Sequence, residues 1–150
     1  MENLDWIKEA VKQTNLADAM GYANAGLGDN AATFFDKFRR SGFMRRFERG
    51  DGRATTGCSG CELVLMINNK LGNRYQAADF KEKCNFDTIT APTEFWIGHA
   101  LGYLQGRSGL TFDEIFEHFP IDSWYRMYSL HEVSDEALWD KTLGKHLQIT

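Results

Sequence analysis

Proline is almost absent from this chain, with two in 150 residues. Proline breaks helix interiors, so its scarcity leaves long helices unobstructed and argues against a loop-rich fold. Cysteine is scarce and odd in number, three in all, which excludes a disulfide framework. The most apolar stretch, Phe95 to Leu104, is about half the roughly 20 residues that a membrane helix needs. Met1-Glu2-Asn3 opens an amphipathic segment, with no basic region followed by an apolar run, so no secretory signal is read there. No convincing strand pattern and no glycine-rich phosphate loop occur; Gly50-x-Gly52 alone is a weak signal. These absences predict a reduced, cytoplasmic protein with no membrane attachment and no cofactor.

What the chain does have is aromatic bulk: eleven Phe, five Tyr and four Trp in a length of about one domain. Apolar residues recur at helical spacing. Leu4, Ile7, Ala10 and Val11 predict an amphipathic helix from residue 2 to about 23. Asp29 or Asn30 can cap a second helix carrying Phe34, Phe35 and Phe38, and Phe43, Met44 and Phe47 continue a short third one beyond Ser41-Gly42. Ser59-Gly60-Cys61-Glu62 reads as a capping box, with Gly72 suited to the residue after the helix end. Residues Ala77 to Lys83 predict a short helix. Thr90-Ala91-Pro92 opens the most apolar helix, to about Gln105, which is expected at the centre of the fold. Gly98, Gly102 and Gly106 fall on one stripe of it. Each mid-helix glycine is unfavourable by about 1 kcal/mol relative to alanine, so close approach of another helix backbone is expected there. Thr111 to Glu114 is a second capping box, for a helix to about Phe119. Asp122 is placed to cap the next, and Ser134 or Asp135 opens a last helix with Leu138, Trp139 and Leu143. The expected architecture is a single all-α domain, 1–150, of six to eight helices with a buried central helix.

The chemistry-bearing residues do not assemble into a catalytic set. Cys58 and Cys61 have the spacing of half a zinc site, but zinc needs four ligands, usually as two local pairs. Cys84 with one of His99, His118, His131 or His146 makes no second local pair. A redox pair wants a strand before the helix start, and none is read. The capping box accounts for the setting of both thiols without a metal. His99, five residues after Glu94 on the apolar helix, is either a general base or a core histidine with one partner; no nucleophile is identifiable beside it. Thr111 to Met127 loosely follows a helix-turn-helix rhythm. Phe116 and Pro120 stand where a small residue and a turn glycine are usual, and Arg126 alone among acids is a poor phosphate reader.

Charge is the more informative pattern. The net is −4, yet Lys37 to Arg53 holds seven Lys/Arg against Glu48 and Asp51, while Thr111 to Asp140 holds eight acids against Arg126. Such a dipolar distribution steers partners and says little about fold.

Two long stretches carry a resemblance. "FFDKFRRSGFMRRFERGDGRATTGCSGCEL", Phe34 to Leu63, and "PTEFWIGHALGYLQGRSGLTFDEIFEHFPIDSWYRMYSLHE", Pro92 to Glu132, together about half the chain, resemble the two motifs of a family of small uncharacterised proteins. That family occurs in gut Firmicutes and related bacteria, on mobile elements and near toxin-like genes such as those for ADP-ribosyltransferase-like proteins. The resemblance implies an antitoxin-like or accessory binding role and no catalytic residue. It also implies that Cys58 and Cys61 need not be cysteine. The chain departs from the pattern in its glycine-richer central helix and in Trp124, so partner identity does not carry over.

The expected function is therefore stoichiometric binding of a protein partner, a toxin or a defence protein. Arg45, Arg46 and Arg49 are the expected basic contacts and Asp135, Glu136 and Asp140 the acidic ones. The alternatives are a phage-borne inhibitor of a host defence complex, whose acidic surface blocks a nucleic-acid site, a helix-turn-helix-like DNA-binding regulator, and an enzyme.

Overall fold

The computed structural model describes residues 2–75 and 91–147, with side chains from Trp6 onward. The helix expected over Ala77 to Lys83, with Cys84 and Thr90, lies outside the described residues. These form ten α-helices and one 3-10 turn, with no strand among them. They are α1 Glu2–Leu27, α2 Ala31–Ser41, α3 Phe43–Glu48, α4 Gly52–Thr55, α5 Gly60–Lys70, α6 Pro92–Ser108, α7 Phe112–His118, α8 Ser123–Arg126, the 3-10 turn Met127–Leu130, α9 Asp135–Lys141 and α10 Leu143–Leu147. The fold is all-α. The number of helices exceeds six to eight because α4 and α8 are single turns and Thr142 interrupts the last helical stretch with a non-helical backbone.

Local chemistry sets most boundaries. Asn30 caps α2 by accepting the Thr33 N–H at 2.8 Å. Gly42, at φ 84°, ends α2 and begins α3; this left-handed conformation suits a residue without Cβ. Both capping boxes are present: Ser59 Oγ accepts from Glu62 N–H at 3.1 Å while Glu62 accepts from Ser59 N–H, and Thr111 and Glu114 do the same. Asp122 corrects the expectation for α8. Its side chain makes no capping bond, and the Ser123 hydroxyl donates to the Pro120 carbonyl instead.

The centre is shared by α1 and α6, which run antiparallel. A Cβ at Gly98 would lie 2.7 Å from the Leu16 carbonyl oxygen and 2.8 Å from Ala17 Cα; one at Gly102 would lie 3.2 Å from Gln13 Cα; one at Gly106 would strike the Glu9 carboxylate. The glycine stripe thus lets two backbones approach, which offsets its poor helix propensity. Gly60 grips α1 from α5, where a Cβ would meet the Ala19 amide nitrogen at 2.6 Å. As expected, α6 buries Trp96, Ile97, Ala100, Leu101 and Leu104.

The buried face of α1 differs from the one its apolar spacing predicts. Ile7 and Val11 remain 44% and 39% exposed, and burial begins with Lys12, Leu16 and Ala17. The close glycine contacts, rather than the apolar stripe, choose which side of this helix faces in. On the other flank of the core, the rings of Phe35, Phe38, Phe47 and Phe112 pack in tilted and edge-to-face pairs at 5.2 to 6.3 Å between centroids, tying α2 and α3 to α7. Among the described residues, no helix is long and apolar enough to cross a membrane.

Candidate partner interface

The basic segment becomes a surface for a simple periodic reason. On α2, Phe34, Phe35 and Phe38 are buried, which leaves Asp36, Arg39 and Arg40 outside. On α3, Met44 and Phe47 are buried three residues apart, leaving Arg45 and Arg46 on the other side with Arg49 following. The turn at Gly42 places the two cationic faces at an angle rather than on one continuous helix.

Four of the seven cations are engaged within the fold. Lys37 pairs with the buried Asp29 at 2.9 Å. Arg39 forms a two-pronged bridge to Asp113, at 2.6 and 3.2 Å, and Arg40 pairs with Asp36 one turn earlier at 2.9 Å. Arg46 reaches Asp51 at 3.2 Å and lies over the Phe43 ring, 5.5 Å from its centroid. The Asp51 carboxyl is held below its ordinary range, chiefly by the Arg53 backbone N–H and then by the Arg46 charge. By contrast, Arg45, Arg49 and Arg53 make no ion pair with any described carboxylate, nor does Lys70 at the end of α5. All four are exposed.

Two hollows flank α3. On one side lies a groove of about 430 Å³ lined by Phe43, Arg46, Arg53, Met66, Asn69 and Lys70. On the other is a hollow of about 380 Å³, where Arg39 and Arg45 face Glu48 and Asp113. Burial raises the Glu48 carboxyl, opposed by the Phe112 N–H that it accepts at 2.6 Å. The first hollow is thus cationic with an apolar floor, and the second is of mixed sign.

The acidic candidates are placed differently. Asp135, in the first turn of α9, lies 3.1 Å from His99 Nε2 and accepts from Gln13 at 3.4 Å. Glu136 pairs with Arg107 at 2.8 Å, and that guanidinium stacks 4.2 Å from the centroid of Trp139. Asp140 is exposed and makes no ion pair with a described residue. Two of the three expected acidic contacts are therefore already engaged by the protein itself.

His99 is not a core residue. Its side chain is 36% exposed at the junction of α1, α6 and α9, where its ring contacts Gln13 and Asp135. The nearby Ser134 hydroxyl caps α9 through Ala137 N–H. In the helix-turn-helix segment, α8 is one turn long and Trp124 is fully buried, so that segment offers no recognition helix of useful length. Cys58 is buried and burial pushes its thiol up, away from the reactive thiolate. Among the described residues no three His, Cys, Asp or Glu side chains cluster as metal ligands.

Sequence reasoning named Arg45, Arg46 and Arg49 but missed Phe43, Met66 and Lys70 as parts of the same surface. Lys70 follows Phe43 by 27 positions and joins it only because α5 packs beside α2, which leads into α3. No protein-family model, curated protein or solved structure matches the chain.

Proposed function

We propose that the protein is a small binding module that modulates a protein partner by stoichiometric association, and that its basic face around α3 receives an acidic surface of that partner. One observation carries this reading: Arg45, Arg49, Arg53 and Lys70 have no acid partner among the described residues, although the chain has more carboxylates than cations. Exposed charges cost little to leave unpaired, but four of one sign around α3 set up a field that attracts and orients an anionic surface. Toxin neutralisation is the version that the sequence resemblance suggests. The acidic side supports a nucleic-acid mimic less well, because Asp135 and Glu136 are taken up within the fold.

The test is affinity capture from the source cell with immobilised protein, read by quantitative mass spectrometry, beside an Arg45→Glu/Arg49→Glu variant. A partner retained by the native chain and depleted on the variant supports the reading. A partner set identical on both removes the basic face from the account.

A further inference from the structure

We propose that the groove between α3, α4 and α5 seats one aliphatic or aromatic side chain from an acidic segment of the partner, with flanking carboxylates on Arg46, Arg53 and Lys70. This rests on the basic face being a partner surface and adds the chemistry of what docks there.

The groove asks for both features at once. Its floor is Phe43 and Met66, each partly buried and packed on the core. Its rim carries three cations, of which, among the described residues, only Arg46 has a carboxylate, Asp51, in ion-pair range. A small inorganic anion would leave the apolar floor wet, and a purely apolar ligand would crowd cations with no counter-charge. A segment with acids on either side of an apolar residue satisfies both. Methionine is unbranched and polarisable, so Met66 can mould to different anchors. The Arg46 guanidinium lies 5.5 Å from the Phe43 ring centroid, so cation and apolar floor adjoin within one groove. The volume of about 430 Å³ falls within the range of ligand pockets that hold more than a single ion.

A nucleic-acid strand also offers anions and flat apolar surface, but it fits less well. Its phosphate track, continued around α3, would meet Glu48 and Asp113 in the second hollow. A polyanion needs a run of cations without such interruptions. The protein's net charge of −4 acts in the same direction. A short acidic peptide need not reach Glu48 and Asp113, and its fewer charges meet less of that repulsion.

Fluorescence anisotropy with labelled probes tests this on the full chain. The probes are a short Asp/Glu peptide with one central Phe, the same peptide with Ala in its place, and an oligothymidylate. The Phe peptide should bind roughly tenfold tighter than the Ala peptide, the equivalent of one well-seated aromatic. Met66→Gln should reduce that preference while leaving the weaker charge-driven binding. Arg53→Glu/Lys70→Glu, at two exposed positions, should abolish binding of both peptides. Equal binding of the two peptides, tighter binding of the oligothymidylate, or binding untouched by the Arg53/Lys70 reversal would each overturn the assignment. So would a dimer of the protein alone that disappears in that variant, since the groove would then belong to a second copy. Failure of the peptides, with partner capture still dependent on Arg45 and Arg49, defeats the groove assignment alone. If capture also survives the Arg45/Arg49 reversal, the binding face itself is wrong.

Discussion

Arg39 holds Asp113 through two parallel bonds, Nη2 to Oδ1 at 2.6 Å and Nε to Oδ2 at 3.2 Å, across 74 positions of sequence. The pair fastens the basic segment to the acidic one and separates cations that serve the fold from cations that do not. Its side chains are 43% and 54% exposed, so Asp113→Asn should lower stability by no more than about 1 kcal/mol. Arg45→Glu/Arg49→Glu should leave the urea midpoint essentially unchanged, because neither residue pairs with a carboxylate among the described residues. Asp135→Lys/Glu136→Lys should lower the midpoint more than Asp140→Lys, since the double change breaks the His99, Gln13 and Arg107 contacts. A large stability loss in the Arg45/Arg49 variant would show that those cations are structural.

The glycine stripe of α6 gives an ordered series. At Gly98, a methyl group would press on the Leu16 carbonyl and the Ala17 backbone at under 3 Å, so neither neighbour can give way without moving α1. Gly98→Ala should destabilise by roughly 1–3 kcal/mol despite alanine's better helix propensity. Gly102→Ala, with its nearest neighbour at 3.2 Å, should be much milder, and Gly102→Leu should overpack the contact. Thermal unfolding of the three variants checks the order; Gly98→Ala with an unchanged or raised melting temperature would contradict the close α1–α6 approach.

Ser59 and Glu62 satisfy each other's backbone amides at the start of α5. Ser59→Ala should therefore cost about 1 kcal/mol through the lost cap. Cys58→Ala/Cys61→Ala should leave binding to the partner intact. Tightly held zinc at about one ion per native chain, found by elemental analysis, would overturn the reading of both thiols as incidental.

Tyr125 reports on the seam between α2 and α8. Its hydroxyl oxygen accepts the Ala31 N–H at 2.8 Å, and burial, opposed by that bond and reinforced by Glu94, pushes the phenol up to about 12. The folded value is raised above the ordinary 10.0, so the fold favours the neutral phenol. Its contribution is fully present below pH 10 and is lost as pH rises towards about 12. Tyr125→Phe should cost about 1 kcal/mol at pH 8 by leaving Ala31 N–H unpaired. The gap between native and variant urea midpoints should narrow at about pH 11. A constant gap would show that the phenol does not ionise differently in the two states.

The legible parts of this fold are those whose cause is local. Ser59 with Glu62, Thr111 with Glu114, and Ser134 all announce helix starts through side chains that reach only three residues. Gly98, Gly102 and Gly106 announced a backbone contact because four-residue spacing keeps them on one side of a helix. The face of α1 was not legible. Ile7 and Val11 have the right period for a buried stripe, yet glycines on two other helices decide which side of α1 they clasp. His99 sits among apolar residues in sequence, but the Gly98–Gly102 contact turns its ring out to Gln13 and Asp135. The basic half of the candidate surface was readable from composition. The groove was not, since Phe43, Arg53 and Lys70 meet only through the packing of α5, and no sequence pattern shows that Asp135 and Glu136 are already partnered.

The most direct test of the basic face is the affinity of the captured partner for the native chain and for Arg45→Glu/Arg49→Glu, measured by calorimetry at low and high salt. The account predicts a loss of roughly tenfold or more at physiological salt, where exposed charges act over about 8 Å. The two affinities should converge near 1 M salt, where that distance falls to about 3 Å. Equal affinities at both salt concentrations, in a variant that keeps the native unfolding midpoint, would contradict it.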